Sequence, residues 1–212
     1  MSLAGKSSDI AEAIVYVVDD DQSVRLALED LLTSVGLVVR SFGSIKEFLA
    51  SPVLDRPGCL VLDVRMPGQS GLEFQQQMSA MGISLPVIFI TGHGDVAMAV
   101  RAMKTGAIEF LAKPFRDQEL LDAIQLGVEK DRVQRQDEGN LALLRKRWQT
   151  LNSGEQAVMQ RVAEGMLNKQ IAGEMSVSEV TVKVRRGQVM RKMNARSLTD
   201  LVRIWDRLNR PD

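Results

Sequence analysis

The chain alternates short apolar, β-rich runs with longer stretches of helical periodicity, and polar residues close four of those runs. Residues 14–18 end at Asp19-Asp20, 59–62 at Asp63, 87–90 at Thr91 and 108–112 at Lys113. A fifth extended run covers 37–41, and helical patterns fall near 22–34, 45–50, 71–80, 95–105 and 118–128. Five strands alternating with five helices predict an α/β domain built on a doubly wound parallel sheet. The carboxyl ends of such strands share one edge, and sites assemble there. The spacing therefore predicts one pocket holding three carboxylates, a hydroxyl and an ammonium. Gly36, Gly58, Gly82 and Gly106 each precede a strand and are expected as left-handed, helix-ending residues.

Such a pocket suits phosphate chemistry. Clustered carboxylates raise one another's pKa unless a cation compensates. Mg²⁺ is the natural compensator, because it takes oxygen ligands, one or two protein carboxylates and phosphate oxygens. A carboxylate there can attack phosphorus to give an aspartyl phosphate. Lys113 would neutralise one phosphoryl oxygen and Thr91 hydrogen-bond another. These residues alone leave open which carboxylate is the nucleophile. His93, the only histidine, is flanked by glycines and is read as a loop residue beside the pocket. Cys59, the only cysteine, is read as a buried strand residue in a reducing compartment, which points to the cytoplasm.

Apolar residues make up 45% and charged residues 25%, as in an ordinary globular protein. No apolar run approaches the ~20 residues of a membrane span, and the first residues lack the apolar stretch of a secretory signal. The zero net charge conceals two opposed halves. Residues 1–127 carry 10 Lys and Arg against 16 Asp and Glu, whereas residues 128–212 carry 17 against 11. That asymmetry suggests an acidic module joined to one that meets a polyanion.

Residues 129–149 are highly polar, with few side chains suited to burial, and read as a helical or partly flexible linker. From 150 onward no strand pattern appears. Four helices fit, near 153–164, 169–175, 179–194 and 198–208, with Ser153, Asn168, Ser178 and Ser197 as N-caps. A short helix, a turn and a longer helix make a helix-turn-helix, whose second helix can enter a DNA major groove. Residues 178–196 hold Lys183, Arg185, Arg186, Arg191, Lys192 and Arg196 against Glu179 alone, a stripe suited to phosphates. At about 100° per residue, Val182, Val189 and Met193 form the docking face. Val184, Gly187 and Arg191 lie opposite, flanked by Lys183 and Gln188. Thr181 reaches a phosphate from the first turn, and Asn168, Lys169 and Arg185 complete the candidate DNA contacts. The last helix, with Leu198, Leu201, Val202, Ile204 and Trp205, offers an apolar face read as a dimer contact.

Val17-Val18-Asp19-Asp20-Asp21, Leu62-Asp63-Val64-Arg65-Met66-Pro67-Gly68, Phe89-Ile90-Thr91-Gly92-His93-Gly94 and Lys113-Pro114-Phe115 resemble the receiver domain of two-component response regulators, over residues 13–128. The resemblance implies a CheY-like five-stranded fold with Asp63 as phosphoacceptor. It implies Asp20, Asp63 and the Arg65 main-chain carbonyl as Mg²⁺ ligands, with Asp19 acting directly or through water. Thr91 and Phe110 match the family's switch pair, and Lys113-Pro114 its usually cis peptide. Residues 150–208 resemble the all-α, four-helix LuxR-type domain of the NarL/FixJ response regulators, and the whole chain is particularly similar to the FixJ and StyR group. That implies a transcription factor phosphorylated by a sensor histidine kinase. Its other partners would be double-stranded promoter DNA with paired half-sites and, when phosphorylated or DNA-bound, a second copy of itself. No membrane and no enzymatic turnover beyond its own phosphorylation and dephosphorylation are implied.

Three positions depart from the family pattern. Asn152-Ser153-Gly154-Glu155 replaces Thr-x-Arg-Glu, Arg185 stands where histidine is frequent, and Gly187 stands where a larger side chain is common. A glycine inside a helix costs about 1 kcal/mol relative to alanine but lets a backbone approach closely, so the DNA sequence preference is not transferable from a relative. Two other readings compete. Asp19-x-Asp21-x-Ser23 approximates the nucleophile motif of haloacid-dehalogenase-type phosphatases, but a later strand with an acidic pair is missing and Asp63-x-Arg65-Met66-Pro67-Gly68 is left unexplained. A DNA-binding regulator that works without phosphorylation would leave the retained carboxylates and lysine without a role.

Overall fold

The computed structural model describes residues 13–92 and 96–209. His93 and the amino-terminal segment considered as a signal both lie outside the described residues. The chain divides into two compact units between Arg135 and Gln136.

The first unit is a parallel sheet of β1 (Ile14–Val18), β2 (Val38–Phe42), β3 (Gly58–Asp63), β4 (Val87–Thr91) and β5 (Glu109–Ala112), in the order β2-β1-β3-β4-β5. Side chains along a strand alternate between faces, and helices cover both faces, so nearly every strand residue is apolar. Ile14, Tyr16, Val18, Leu60, Leu62, Val87 and Phe89 pack on one side. They meet α2 (Ile45–Ala50), α3 (Gly71–Met78) and α4 (Val96–Lys104) through Phe48, Phe74, Met78 and Ala102. Val15, Val17, Cys59, Val61, Ile88 and Ile90 pack on the other. There they meet α1 (Gln22–Ser34) and the first turns of α5 (Asp117–Gln149), through Leu28, Leu32, Leu120 and Ile124.

Gly36, Gly82 and Gly106 have positive φ, as expected of helix-ending glycines, but Gly58 does not. It is the first residue of β3, and a Cβ there would lie 2.4 Å from the Ile14 carbonyl oxygen. Its role is close approach between β1 and β3. Helix α5 is also longer than expected: 33 residues, running unbroken through the stretch read as a linker. Nor is that stretch free of buried groups. Asp131 is almost fully buried and accepts hydrogen bonds from Gly58 N at 2.9 Å and Arg135 Nε at 2.7 Å. Arg135 also reaches Asp55 at 2.9 Å.

The second unit contains α6 (Ser153–Ala163), α7 (Asn168–Glu174), α8 (Glu179–Met193) and α9 (Leu198–Leu208), with no strand among its described residues. Two caps fall one residue earlier than expected. Asn152, in an extended conformation, caps α6: its Oδ1 accepts from Glu155 N at 2.9 Å while Glu155 Oε2 accepts from Asn152 N at 2.8 Å. Helix α7 starts from Leu167, whose N–H donates to Gln170 Oε1 at 2.7 Å. Ser178 and Ser197 cap α8 and α9 as expected.

The apolar face of α9 is largely consumed inside its own unit. Leu201 is fully buried and Ile204 nearly so, and Trp205 packs against Trp148 at a tilt, with ring centroids 5.4 Å apart. Leu201 therefore belongs to the core and not to a dimer contact; only Leu198, 43% exposed, keeps a large apolar surface on that face. Leu201→Ala is expected to cost the second unit about 2–5 kcal/mol in urea denaturation. Leu198→Ala should change it by no more than about 0.5 kcal/mol.

Candidate functional site

Order reverses between β1 and β3, which leave in opposite directions from the middle of the sheet, and the crevice beyond their carboxyl ends is the site such a sheet offers. Asp63 is the last residue of β3 and Thr91 the last of β4, while Asp19 and Lys113 follow β1 and β5 directly. Asp19, Asp63 and Thr91 are buried although polar. Lys113 Nζ donates to Asp19 Oδ2 at 2.6 Å and to Asp63 Oδ1 at 3.3 Å. Its backbone N–H bonds the Thr91 carbonyl at 2.7 Å, and the Lys113-Pro114 peptide is cis.

The remaining acceptors are occupied by the loops themselves. Asp19 Oδ1 accepts from Asp21 N at 2.8 Å, and Asp63 Oδ2 from Arg65 N at 2.9 Å. Arg25 donates to the Asp19 carbonyl at 2.7 Å. Asp21 is the N-cap of α1, accepting from Ser23 N at 2.8 Å. Phe110 is half-buried beside Phe89, ring centroids 6.4 Å apart, on the sheet face that also carries Phe48 and Phe74.

Two residues that support the site carried no functional signal in the sequence. Gly71 opens α3 directly behind Asp63, and a Cβ there would lie 2.4 Å from the Asp63 carbonyl oxygen. Arg25 sits one turn into α1, where a basic side chain reads as solvated surface.

Burial first, and then the neighbouring Asp19 charge, push the Asp63 carboxyl above the usual aspartate range against the pull of Lys113. Burial opposes the charge on Lys113, but its hydrogen bond to Asp19 and the two carboxylates hold its ammonium above the ordinary lysine value. Two buried carboxylates thus share one ammonium, and a unit of negative charge is left without a partner. The donors are hard oxygens, so the residues fit Mg²⁺ in kind. The expected convergence of three carboxylates is not what the side chains do: Asp20 is exposed, and among the described residues no three His, Cys, Asp or Glu groups are gathered to hold a metal by themselves. Burial also raises the Cys59 thiol, with the Asp131 charge adding to it.

In the second unit Val182, Val189 and Met193 are fully buried, and Lys183, Val184, Gly187 and Arg191 are exposed. Thr181 closes the first turn of α8, its Oγ1 2.9 Å from Ser178 Oγ. Several candidate contacts are already engaged within the unit. Arg186 donates to Asn168 Oδ1 at 3.2 Å, and Arg191 bonds Gln188. Lys192 is held by Glu155 at 2.6 Å and the Thr150 carbonyl at 3.1 Å. That hydrogen bond from Lys192, helped by Asn152 N–H, keeps the Glu155 carboxyl below its ordinary range although burial opposes it. Lys169 is exposed at the start of α7, and nothing of the protein lies within 4 Å of a Cβ at Gly187.

Residues 15–125 match the model of the response regulator receiver domain, and residues 149–205 that of the bacterial regulatory proteins of the luxR family. The chain is 52% identical to nodulation protein W of Bradyrhizobium diazoefficiens, over 96% of this chain and 90% of that protein. It is 43% identical to the transcriptional regulatory protein FixJ of Rhizobium meliloti, over 90% of this chain and 93% of that one. Among solved structures, the response regulator StyR superposes with a TM-score of 0.80 at 48% identity, covering 92% of this chain and 98% of the other. No helix among the described residues is long and apolar enough to cross a membrane.

Because folding raises the Asp63 pKa, its charged form costs stability. Asp63→Asn should therefore stabilise the first unit at neutral pH. That gain should fade as pH falls from the raised folded value to the unfolded aspartate value, below which both side chains are neutral. Thermal melts of both proteins across an acid pH series check it.

Proposed function

The chain belongs to the response regulators that join a receiver to a LuxR-type DNA-binding domain, and on that premise we propose that Asp63 is the residue through which a sensor histidine kinase controls its binding to promoter DNA. The observation that carries this reading is Lys113 Nζ lying within reach of both Asp19 and Asp63 at the carboxyl edge of the sheet. A carboxylate oxygen of Asp63 attacks the phosphorus, and the bond to the donor histidine nitrogen breaks with its electron pair staying on nitrogen. Lys113 turns from the carboxylates to the phosphoryl oxygens and neutralises the charge they carry. Asp20, Asp63 and the Arg65 carbonyl, with Asp19 directly or through water, would hold Mg²⁺, which supplies the positive charge that two buried carboxylates and a phosphoryl group together lack.

Thr91 closes β4, the strand next to the one that Asp63 ends, and its hydroxyl would hydrogen-bond the phosphoryl group, with Phe110 adjusting in step. That change biases the surface around α4 and β5 between two arrangements. The consequence is a homodimer that places two copies of α8 in the major grooves of paired half-sites. Thr181, Lys183, Val184, Arg185, Gly187, Gln188 and Arg191 on α8, with Asn168 and Lys169 on α7, form the DNA face. Residues 13–128 act as the receiver, 150–208 as the DNA-binding domain, and 129–149 as the connection.

Incubation with acetyl phosphate and Mg²⁺, followed by intact-mass measurement, should give one phosphoryl adduct. Asp63→Asn and chelation of the metal should each abolish it, while Asp20→Ala should reduce it. An adduct on Asp19 with rapid turnover would point to the phosphatase chemistry instead. The absence of any adduct would sink the phosphorylation reading.

A further inference from the structure

Two of the positions at which the sequence departs from its family pattern, Gly154 and Arg185, touch in the folded chain. Gly154 lies in the first turn of α6, and a Cβ built on it would stand 2.8 Å from Arg185 Cζ, 2.9 Å from a terminal guanidinium nitrogen and 3.1 Å from Nε. The guanidinium of a residue on α8 thus occupies the space that any side chain at 154 would need. Arg185 and Lys192 are seven residues apart, two helical turns, so they share a stripe of α8 facing α6.

Their situations differ sharply. Lys192 is locked by Glu155 and the Thr150 carbonyl, and Glu155 is further tied to the Asn152 cap. Arg185 is half-exposed and makes no hydrogen bond or ion pair among the described residues. Its five N–H donors are therefore available to an outside acceptor. The first turn of α6 is the positive end of its dipole, and its one carboxylate, Glu155, is already taken by Lys192. An anion brought from outside would find both attractive.

We propose that Gly154 is a positioning residue for DNA binding: the clearance it leaves holds the Arg185 guanidinium on the flank of α8, presented to one backbone phosphate. The inference rests on the DNA-binding reading of α8 given above. A planar guanidinium with a forked set of donors suits a phosphate better than a lysine ammonium would. Gly154 contributes no contact to DNA itself. It decides where Arg185 can lie.

Gly154→Ala isolates the effect. The atoms it displaces are the far end of a flexible side chain, and alanine is the better helix former, so the fold should remain intact and the melting temperature of the second unit should not fall. The full-length protein, treated with acetyl phosphate and Mg²⁺, is titrated with a labelled duplex of mixed sequence across a salt series. Gly154→Ala should weaken binding and make the slope of log K against log salt shallower by about one, the loss of one phosphate contact. Arg185→Ala, which leaves position 154 untouched, should lose the same amount, and the double variant should lose no more than either alone. Equal losses on duplexes of different sequence mark a phosphate contact and not a base contact.

If either single variant keeps the wild-type slope and affinity, or if the two losses add, the proposal is overturned. If Gly154→Ala lowers the melting temperature while Arg185→Ala leaves the salt slope unchanged, Arg185 is a packing residue and the proposal is equally overturned. Failure of the wild-type protein to bind any duplex would instead remove the DNA-binding reading on which the inference stands.

Discussion

Register in the parallel sheet governs everything at its carboxyl edge. Val18 pairs with Leu62, Asp63 with Ile90 and Thr91 with Ala112, so neighbouring strands end within one residue of each other along the edge. A slip of one residue in any pair would turn its strand's side chains to the opposite face and carry the polar terminus away from its neighbours. What prevents the slip is the apolar run beneath, buried on both faces in β1, β3 and β4. The placement of Asp19, Asp63 and Lys113 is thus decided by Val, Ile, Leu and Phe residues that carry none of the site's polar groups. Close packing behind the edge contributes too, since Gly58 lets β1 approach β3 and Gly71 lets α3 approach the end of β3.

Much of this was legible in the sequence, because a polar residue punctuating an apolar run is a local signal. The strands, the helices between them and the four strand-end residues all follow from patterns spanning fewer than about ten residues. What was not legible depends on distant partners. Asp131 reads as one more charge in a polar stretch, and only its pairing with Gly58 and Arg135 explains its burial. Gly58 resembles three helix-ending glycines by position, yet its neighbour across the sheet gives it a different task. The cap of α6 is displaced by one residue because Asn152 and Ser153 are both good caps, and the contact with Glu155 selects between them. Leu201 lies on an apolar stripe that the sequence cannot divide into inner and outer parts.

Charge on α8 shows the same limit. Counting basic residues over 178–196 suggests a broad positive stripe, but the fold spends much of it internally. Lys192 pairs with Glu155, Arg186 with Asn168 and Arg191 with Gln188. Side chains bonded in this way pay side-chain entropy in advance and must exchange a partner before they can meet a phosphate. Lys183 and Arg185 carry no such ties among the described residues. Formal charge measures the field that attracts DNA, whereas hydrogen-bond availability measures what can grip it.

Cys59 stands at the centre of the sheet, fully buried on the same strand as Asp63 and the only thiol in the chain. Thiolate is the reactive form, and burial pushes the thiol away from it. Alkylating reagents therefore reach this sulfur only when β3 opens. Their rate of capture is a clock for opening of the receiver. The receiver thus carries, in its own sequence, a chemical reporter of its breathing.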